Sequence, residues 1–232
     1  MPNVVPPLLV FDLDGTMAET AGDLIRALNA VIAPEGLQPM ALSDARTMVG
    51  AGARALIRRA YVAQRRPLDD EALERLFAAF IAYYEANIVV DTVLFPGFVD
   101  ALDQLERRGF AFAICTNKIE SAARKLCTAL GVADRFRTIC GQDTFAIAKP
   151  DPRILTLTIE KAGGAVADSV MIGDSLADIA AAKAAGVPVI AVDFGYTDRP
   201  VSDFEPDWII SHFDALDSAV ASIRTKARRA SA

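Results

Sequence analysis

The segment Leu8-Leu9-Val10-Phe11-Asp12-Leu13-Asp14-Gly15-Thr16 carries an apolar run straight into two aspartates, a glycine and a threonine. A short run without polar alternation suits a strand buried on both faces, as in a parallel sheet. Ligands of such sheets bind beyond the carboxyl ends of the strands, and there this strand delivers its carboxylates. Side chains at i and i+2 share a side, so Asp12 and Asp14 start roughly 7 Å apart. Gly15 then permits a sharp bend that brings both groups around one centre. Two ionised carboxylates so close repel each other unless they share a cation or a proton. Magnesium, a hard ion that prefers carboxylate oxygen, fits. Taken alone, the same stretch reads equally well as a turn with capping aspartates.

Outward from it, short apolar runs at 8–12, 111–116, 138–140, 170–172, 187–192 and 208–210 alternate with segments of helical period. That alternation predicts an α/β fold with a parallel sheet covered on both faces. Ser175 reads as the N-cap of a helix over 175–185 that stops at Gly186, and Asp151-Pro152 opens another. Residues 19–93 contain helical patterns, such as 70–87, and no convincing strand. This is far more chain than a crossover needs. The economical reading is a helical cap, 19–93, inserted into a catalytic core of 1–18 and 94–232. The basic tail 224–232 reads as a frayed, solvated end.

With 232 residues, 53% of them hydrophobic, the chain can bury a full core. A formal net charge of -6 argues against a surface that neutralises nucleic-acid phosphates or an anionic membrane. The start of the chain has no basic region, and its apolar stretch is too short for a signal peptide or a membrane span, so a cytoplasmic location is expected. Cys115, Cys127 and Cys140 lack CxxC spacing and read as buried free thiols. His212, the single histidine, reads as a surface or helix-start residue and leaves serine or cysteine hydrolase chemistry without a base.

Three further clusters carry chemistry. The run 111–115 ends in Thr116-Asn117-Lys118, whose hydroxyl and amides before a helix suit an anion cradle; Lys118 alone reads as solvated. In Lys149-Pro150-Asp151-Pro152, an ammonium held ahead of a helix could neutralise phosphate and aspartate together, or be a surface lysine. In 169–178 a strand ends at Asp174, with Asp178 one turn further and able to form a capping box with Ser175. Asp12, Asp14 and Asp174 with one lysine and one hydroxyl are the groups that metal-assisted phosphoryl transfer needs.

These motifs, Asp12-Leu13-Asp14-Gly15-Thr16, Thr116, Lys149 and Gly173-Asp174-Ser175-Leu176-Ala177-Asp178, resemble in order the four motifs of the haloacid dehalogenase-like hydrolases. More narrowly, Asp23-Leu24 with Asn29, Val49-Gly50-Ala51-Gly52-Ala53, Leu94-Phe95-Pro96-Gly97, Thr116-Asn117-Lys118 and Asp193-Phe194-Gly195-Tyr196 resemble bacterial phosphoglycolate phosphatases. The resemblance implies a Rossmann-like core with a helical cap and a magnesium-dependent phosphatase that acts on a small phosphorylated metabolite. Asp12 would be the nucleophile and a metal ligand, and Asp14 the acid and base, with its backbone carbonyl on the metal. Thr116 and the Asn117 amide would hold phosphate, Lys149 would neutralise charge, Asp174 would complete the metal ligands, and Asp178 would orient a water or Lys149. Lys118, Arg54 and the amides of the loop from Gly50 are candidates for a substrate carboxylate, although Arg54 reads more simply as a solvated helix residue.

The chain departs from that family at Met17-Ala18-Glu19-Thr20, in place of Leu-x-Asp-Ser, and at Gly141-Gln142-Asp143, in place of Gly-Gly-Asp. Both departures bear on the cap hinge and substrate preference. Rival readings are a sugar phosphomutase or pyrophosphatase of the same superfamily and a regulatory module that only binds phosphorylated ligands. The absence of histidine at 21–23 speaks against the mutase, and the intact set of Asp12, Asp14, Lys149 and Asp174 against the module.

Overall fold

The computed structural model describes residues 6–43 and 50–230, with side chains up to 225. Val49 of the glycine loop, the first five residues and the last two lie outside the described residues.

The apolar run around which the sequence is organised forms β1 (Leu8–Phe11), buried along its length. It pairs in parallel with β4 (Ala111–Cys115) on one side and β6 (Ser169–Gly173) on the other. β5 (Phe136–Cys140) extends the sheet beyond β4, while β7 (Val189–Val192) and β8 (Trp208–Ile210) extend it beyond β6. All these pairings are parallel, in the order β5-β4-β1-β6-β7-β8. This is the expected α/β, Rossmann-like core, with β1 at the point where the strand order reverses.

Alternation along β1 builds two cores. Leu9 and Phe11 pack against Phe98, Phe112, Phe136 and Phe213. Leu8 and Val10 face Ile154, Leu155, Met171 and Ile179. The first face is covered by α4 (Phe98–Arg107), α5 (Glu120–Ala129) and α8 (Leu216–Ala230), the second by α6 (Pro152–Lys161) and α7 (Leu176–Ala185). Cys115, Cys127 and Cys140 are buried free thiols inside these layers. Local chemistry fixes the helix starts as expected. Asp151 caps α6 by accepting from the Arg153 amide, Ser175 and Asp178 form a capping box on α7, and Gly186 closes α7 in the left-handed conformation. His212 is exposed at the start of a short 3-10 turn and accepts from the Asp214 amide.

Two local expectations are corrected. The tail is not frayed from 224, because α8 continues to Ala230, with Val220 and Ile223 holding its apolar side on the core. A short antiparallel ribbon, β2 (Ala18–Glu19) with β3 (Val93–Leu94), joins the two ends of the long insertion. Two residues carry no periodicity, so this pairing left no pattern to read.

Within the insertion, α1 (Ala21–Ile32), α2 (Ala53–Ala63) and α3 (Asp70–Ala86) pack Leu28, Ile32, Leu56, Ile57, Leu76 and Phe80 into a separate apolar cluster. Asp69 caps α3 through the Ala72 amide. Beside the ribbon, Asp23 gathers the returning chain. Its buried carboxylate accepts from the amides of Val90 (3.1 Å), Asp91 (3.1 Å) and Thr92 (3.0 Å), and from the Thr92 hydroxyl (2.7 Å). Burial raises the Asp23 carboxyl, yet the bonds from Thr92 and the three amides outweigh it and hold the group below the usual carboxylate range.

A carboxyl depressed in the folded state contributes fully above its unfolded pKa of about 4 and loses that contribution as pH falls through the folded value. Asp23→Ala is therefore expected to cost about 2–4 kcal/mol in urea unfolding at neutral pH, through orphaned donors in a buried turn. The gap to the parent protein should narrow below pH about 4. A gap independent of pH would count against the hydrogen-bonded carboxylate as its source.

Candidate active site

The register sets the site. Phe11 lies opposite Ile114 and Ile172, so β1, β4 and β6 end side by side and place Asp12, Thr116 and Asp174 on one edge of the sheet. The Asp12 amide still bonds the Ile172 carbonyl at 2.9 Å, which holds the base of that side chain in strand geometry. Gly15 turns the chain away at φ +84°, and a Cβ there would stand 2.5 Å from Asp174 Oδ2 and 2.7 Å from the Tyr196 ring. Only glycine fits that approach.

Lys149 sits in the middle of the carboxylates, 5% exposed. Its ammonium lies 2.7 Å from Asp12 Oδ1 and 2.6 Å from Asp178 Oδ1, and donates to the Cys115 carbonyl at 2.8 Å. Burial alone would lower its pKa, but the charges of Asp12 and Asp178 raise it above the ordinary value. The two readings of Asp178 coincide: one oxygen takes the Ser175 amide and hydroxyl of the capping box, the other takes Lys149. Asn117 fixes the same loop by accepting from the Lys149 amide at 2.8 Å and donating to the Lys149 carbonyl at 3.1 Å and the Gly50 carbonyl at 3.2 Å. Its side chain thus ties the cradle to the helical insertion.

Asp174 accepts from the Thr16 hydroxyl at 2.7 Å and the Tyr196 amide at 2.6 Å. Asp12, Asp174 and Asp178 each bring an oxygen within 4.8 Å of the others, all buried. Burial, with the neighbouring aspartate charges, raises Asp174 well above the carboxylate range. For Asp12, burial pushes the pKa to about 6, Lys149 pulls it down and Asp178 pushes it up. Three carboxylates with one shared ammonium remain short of positive charge, and this donor set fits a hard divalent cation such as magnesium. The Asp14 carboxylate lies apart from that trio, with Oδ2 3.0 Å from the Lys118 ammonium and Oδ1 buried without a hydrogen-bond partner among the described residues.

Lys118 differs from the solvated residue that its local sequence suggests. Its side chain is 7% exposed, paired with Asp14 and 4.4 Å from the centre of the Tyr84 ring. Arg54 lies elsewhere: its Nε and Nη2 donate to the two oxygens of Glu74 at 2.7 Å each, and the group stacks 3.5 Å over Phe77. A cavity of about 40 Å³ is lined by Asp12, Asp14, Thr116, Asn117, Lys118 and Gly50, together with apolar residues of α1–α3, and Arg54 is not among its walls. Gln142, at one of the departures from the family pattern, and Tyr84 also line it. Tyr84 was hidden in the sequence as one aromatic of an amphipathic helix. Tyr196 had only a place in a quoted motif, yet its phenol oxygen accepts from the amides of Thr20 (2.7 Å) and Ala21 (2.9 Å) and bonds Glu19.

Because bound metal requires deprotonated carboxylates, magnesium should raise the thermal midpoint by roughly 5–10 °C at concentrations far above its Kd. The shift should shrink as pH falls through about 6, where Asp12 takes up a proton. Asp174→Asn should melt higher than the parent without magnesium and lose the shift, as read by scanning fluorimetry. An undiminished shift in that variant would place the cation elsewhere.

Residues 9–192 match the model of the haloacid dehalogenase-like hydrolase family. A phosphoglycolate phosphatase of Mesorhizobium japonicum is 49% identical over 215 residues, 93% of this chain and 95% of that protein. Among solved structures, a predicted phosphoglycolate phosphatase from Haemophilus somnus 129PT superposes with a TM-score of 0.85 at 28% identity, covering 91% of this chain and 96% of that one. CbbY from Rhodobacter sphaeroides, in complex with phosphate, gives 0.80 at 25% identity over 93% of this chain and 99% of its own. Family match, fold and ordered motifs agree, and the chain belongs to the haloacid dehalogenase-like hydrolases, as an enzyme of the phosphoglycolate phosphatase-like kind.

Proposed function

We propose that this enzyme hydrolyses 2-phosphoglycolate to glycolate and phosphate through a phosphoaspartyl intermediate on Asp12. The observation that carries the reading is Asp12 itself: a buried carboxylate at the end of the central strand, charge-paired with Lys149 and opening on a small cavity beside Asp14. An oxygen of Asp12 attacks phosphorus, and the ester P–O bond breaks. Asp14 gives its proton to the departing alkoxide, then takes one from the water that cleaves the acyl phosphate. Thr116 and the Asn117 amide hold phosphate oxygens, and Lys149 keeps Asp12 and the phosphoryl group from repelling each other. Asp12, Asp174 and the Asp14 backbone carbonyl would hold magnesium, with Asp178 close by, and the bound ion would supply positive charge against the phosphoryl oxygens.

Residues 19–93 act as the cap over a core of 1–18 and 94–232. The cavity supports a small leaving group, since about 40 Å³ corresponds to only a few water-sized sites at about 10–15 Å³ each. Lys118, buried on that cavity, is the cation available to a substrate carboxylate, and the curated relative at 49% identity carries the phosphoglycolate phosphatase name. Arg54, held by Glu74, is not assigned to the substrate.

Asp12→Asn should abolish turnover while the protein keeps its fold and its phosphate affinity. Asp14→Asn should slow 2-phosphoglycolate at least tenfold more than p-nitrophenyl phosphate, whose leaving group needs little protonation. For the wild type, kcat/KM on 2-phosphoglycolate should exceed that on glucose 6-phosphate. Residual turnover by Asp12→Asn in contamination-free protein would remove the covalent route, and faster hydrolysis of the hexose phosphate would remove the substrate assignment.

A further inference from the structure

Tyr84 is buried, 1% exposed, on the face of α3 that closes the cavity over Asp12 and Asp14. Its ring is stacked on Phe80 with centroids 6.2 Å apart and 12° between planes, so the side chain is held in place by packing. Its hydroxyl has no hydrogen-bond partner within bonding geometry among the described residues. The cavity walls include the apolar Leu24, Leu56, Phe80 and Ile119, and the charges of Lys118 and Asp14 bear on that hydroxyl. A buried hydroxyl left unpaired opposes folding, and such groups in native proteins call for a reason. Beside it lies the ammonium of Lys118, 4.4 Å from the ring centre.

We infer that the Tyr84 hydroxyl donates a hydrogen bond to the carboxylate of the substrate and, with Lys118 as counter-charge, forms the subsite that reads the end of the molecule opposite the phosphate. The inference rests on the phosphoglycolate reading of the function. Thr116, Asn117 and Lys149 gather at the strand ends, whereas Tyr84 is supplied by the helical insertion. A carboxylate placed between the ammonium and the phenol gains a charge and a directed donor. A neutral leaving group leaves the hydroxyl as unpaired as it is without substrate. Discrimination of this kind is strong because rejecting the wrong ligand leaves a buried polar group unsatisfied.

The test is Tyr84→Phe in the full chain, which keeps the ring and its stacking on Phe80. Kinetics are measured on 2-phosphoglycolate and on two carboxylate-free esters, ethyl phosphate and p-nitrophenyl phosphate. The expected result is a roughly 10–100-fold fall in kcat/KM for 2-phosphoglycolate, mainly through KM, with both other esters within about twofold of wild type. Calorimetric binding of 3-phosphonopropionate against propylphosphonate, to wild type and variant, gives the same comparison without turnover. Unchanged 2-phosphoglycolate kinetics, or equal losses on all three esters, would overturn the role of Tyr84 while leaving the substrate reading intact. A wild type that shows no preference for 2-phosphoglycolate over ethyl phosphate would instead overturn the substrate reading, and the carboxylate subsite with it.

Discussion

The buried ammonium of Lys149 is the constraint on which the rest of the site depends. Taking an ion out of water costs several kcal/mol, and the cost is offset only where partners surround it. Here Asp12, Asp178 and the Cys115 carbonyl do so. Each partner is in turn fixed by something local. Asp12 is held by strand pairing, Asp178 by the capping box of α7, and the loop that carries Lys149 by the Asn117 amide group. The same lysine lets Asp12 and Asp178 approach one another, since without it their repulsion would act in a medium of low dielectric. Sheet, helix cap and loop thus converge on one positive charge.

The fold puts that charge where the strand order reverses, and this explains why the site draws on distant parts of the chain. β1 contributes Asp12 and Asp14, β4 leads to Thr116, β6 to Asp174, and the loop beyond β5 supplies Lys149. β1, β4 and β6 are buried along their length, so their side chains are spent on packing until the last residue, where the chain leaves the sheet and polar groups become available. Leu24, Leu56, Phe80 and Tyr84 of the insertion line the cavity at this edge together with Asp12 and Thr116.

How much of this was legible in the sequence follows from the range of each interaction. The strand at 8–11 and the cap of α7 announce themselves because an apolar run, a capping serine and a stopping glycine act over a few residues. The candidate residues Asp12, Thr116 and Asp174 stood out for the same reason, each following an apolar run. Lys118 read as solvated because nothing near it in sequence covers it; its burial comes from Tyr84, which belongs to the insertion, and from Asp14, more than a hundred residues earlier. Arg54 read as solvated or substrate-facing, and its partner is Glu74 on a neighbouring helix. The β2–β3 ribbon was invisible because two-residue strands have no period.

Tyr196 touches both parts of the molecule at once. Its amide holds Asp174, while its phenol caps the first turn of α1, where the Thr20 side chain does not. The backbone and side chain of one residue therefore answer to two different demands, and the position has little freedom to drift. Phenylalanine would keep the ring over Gly15 but take from the Thr20 amide its acceptor. A smaller residue would open space beside Asp174. A longer polar one would need room that Gly15 does not leave. Any exchange at 196 is felt at the entrance to α1 and at the carboxylates together, so variation there has to arrive as a coordinated set of changes rather than one at a time.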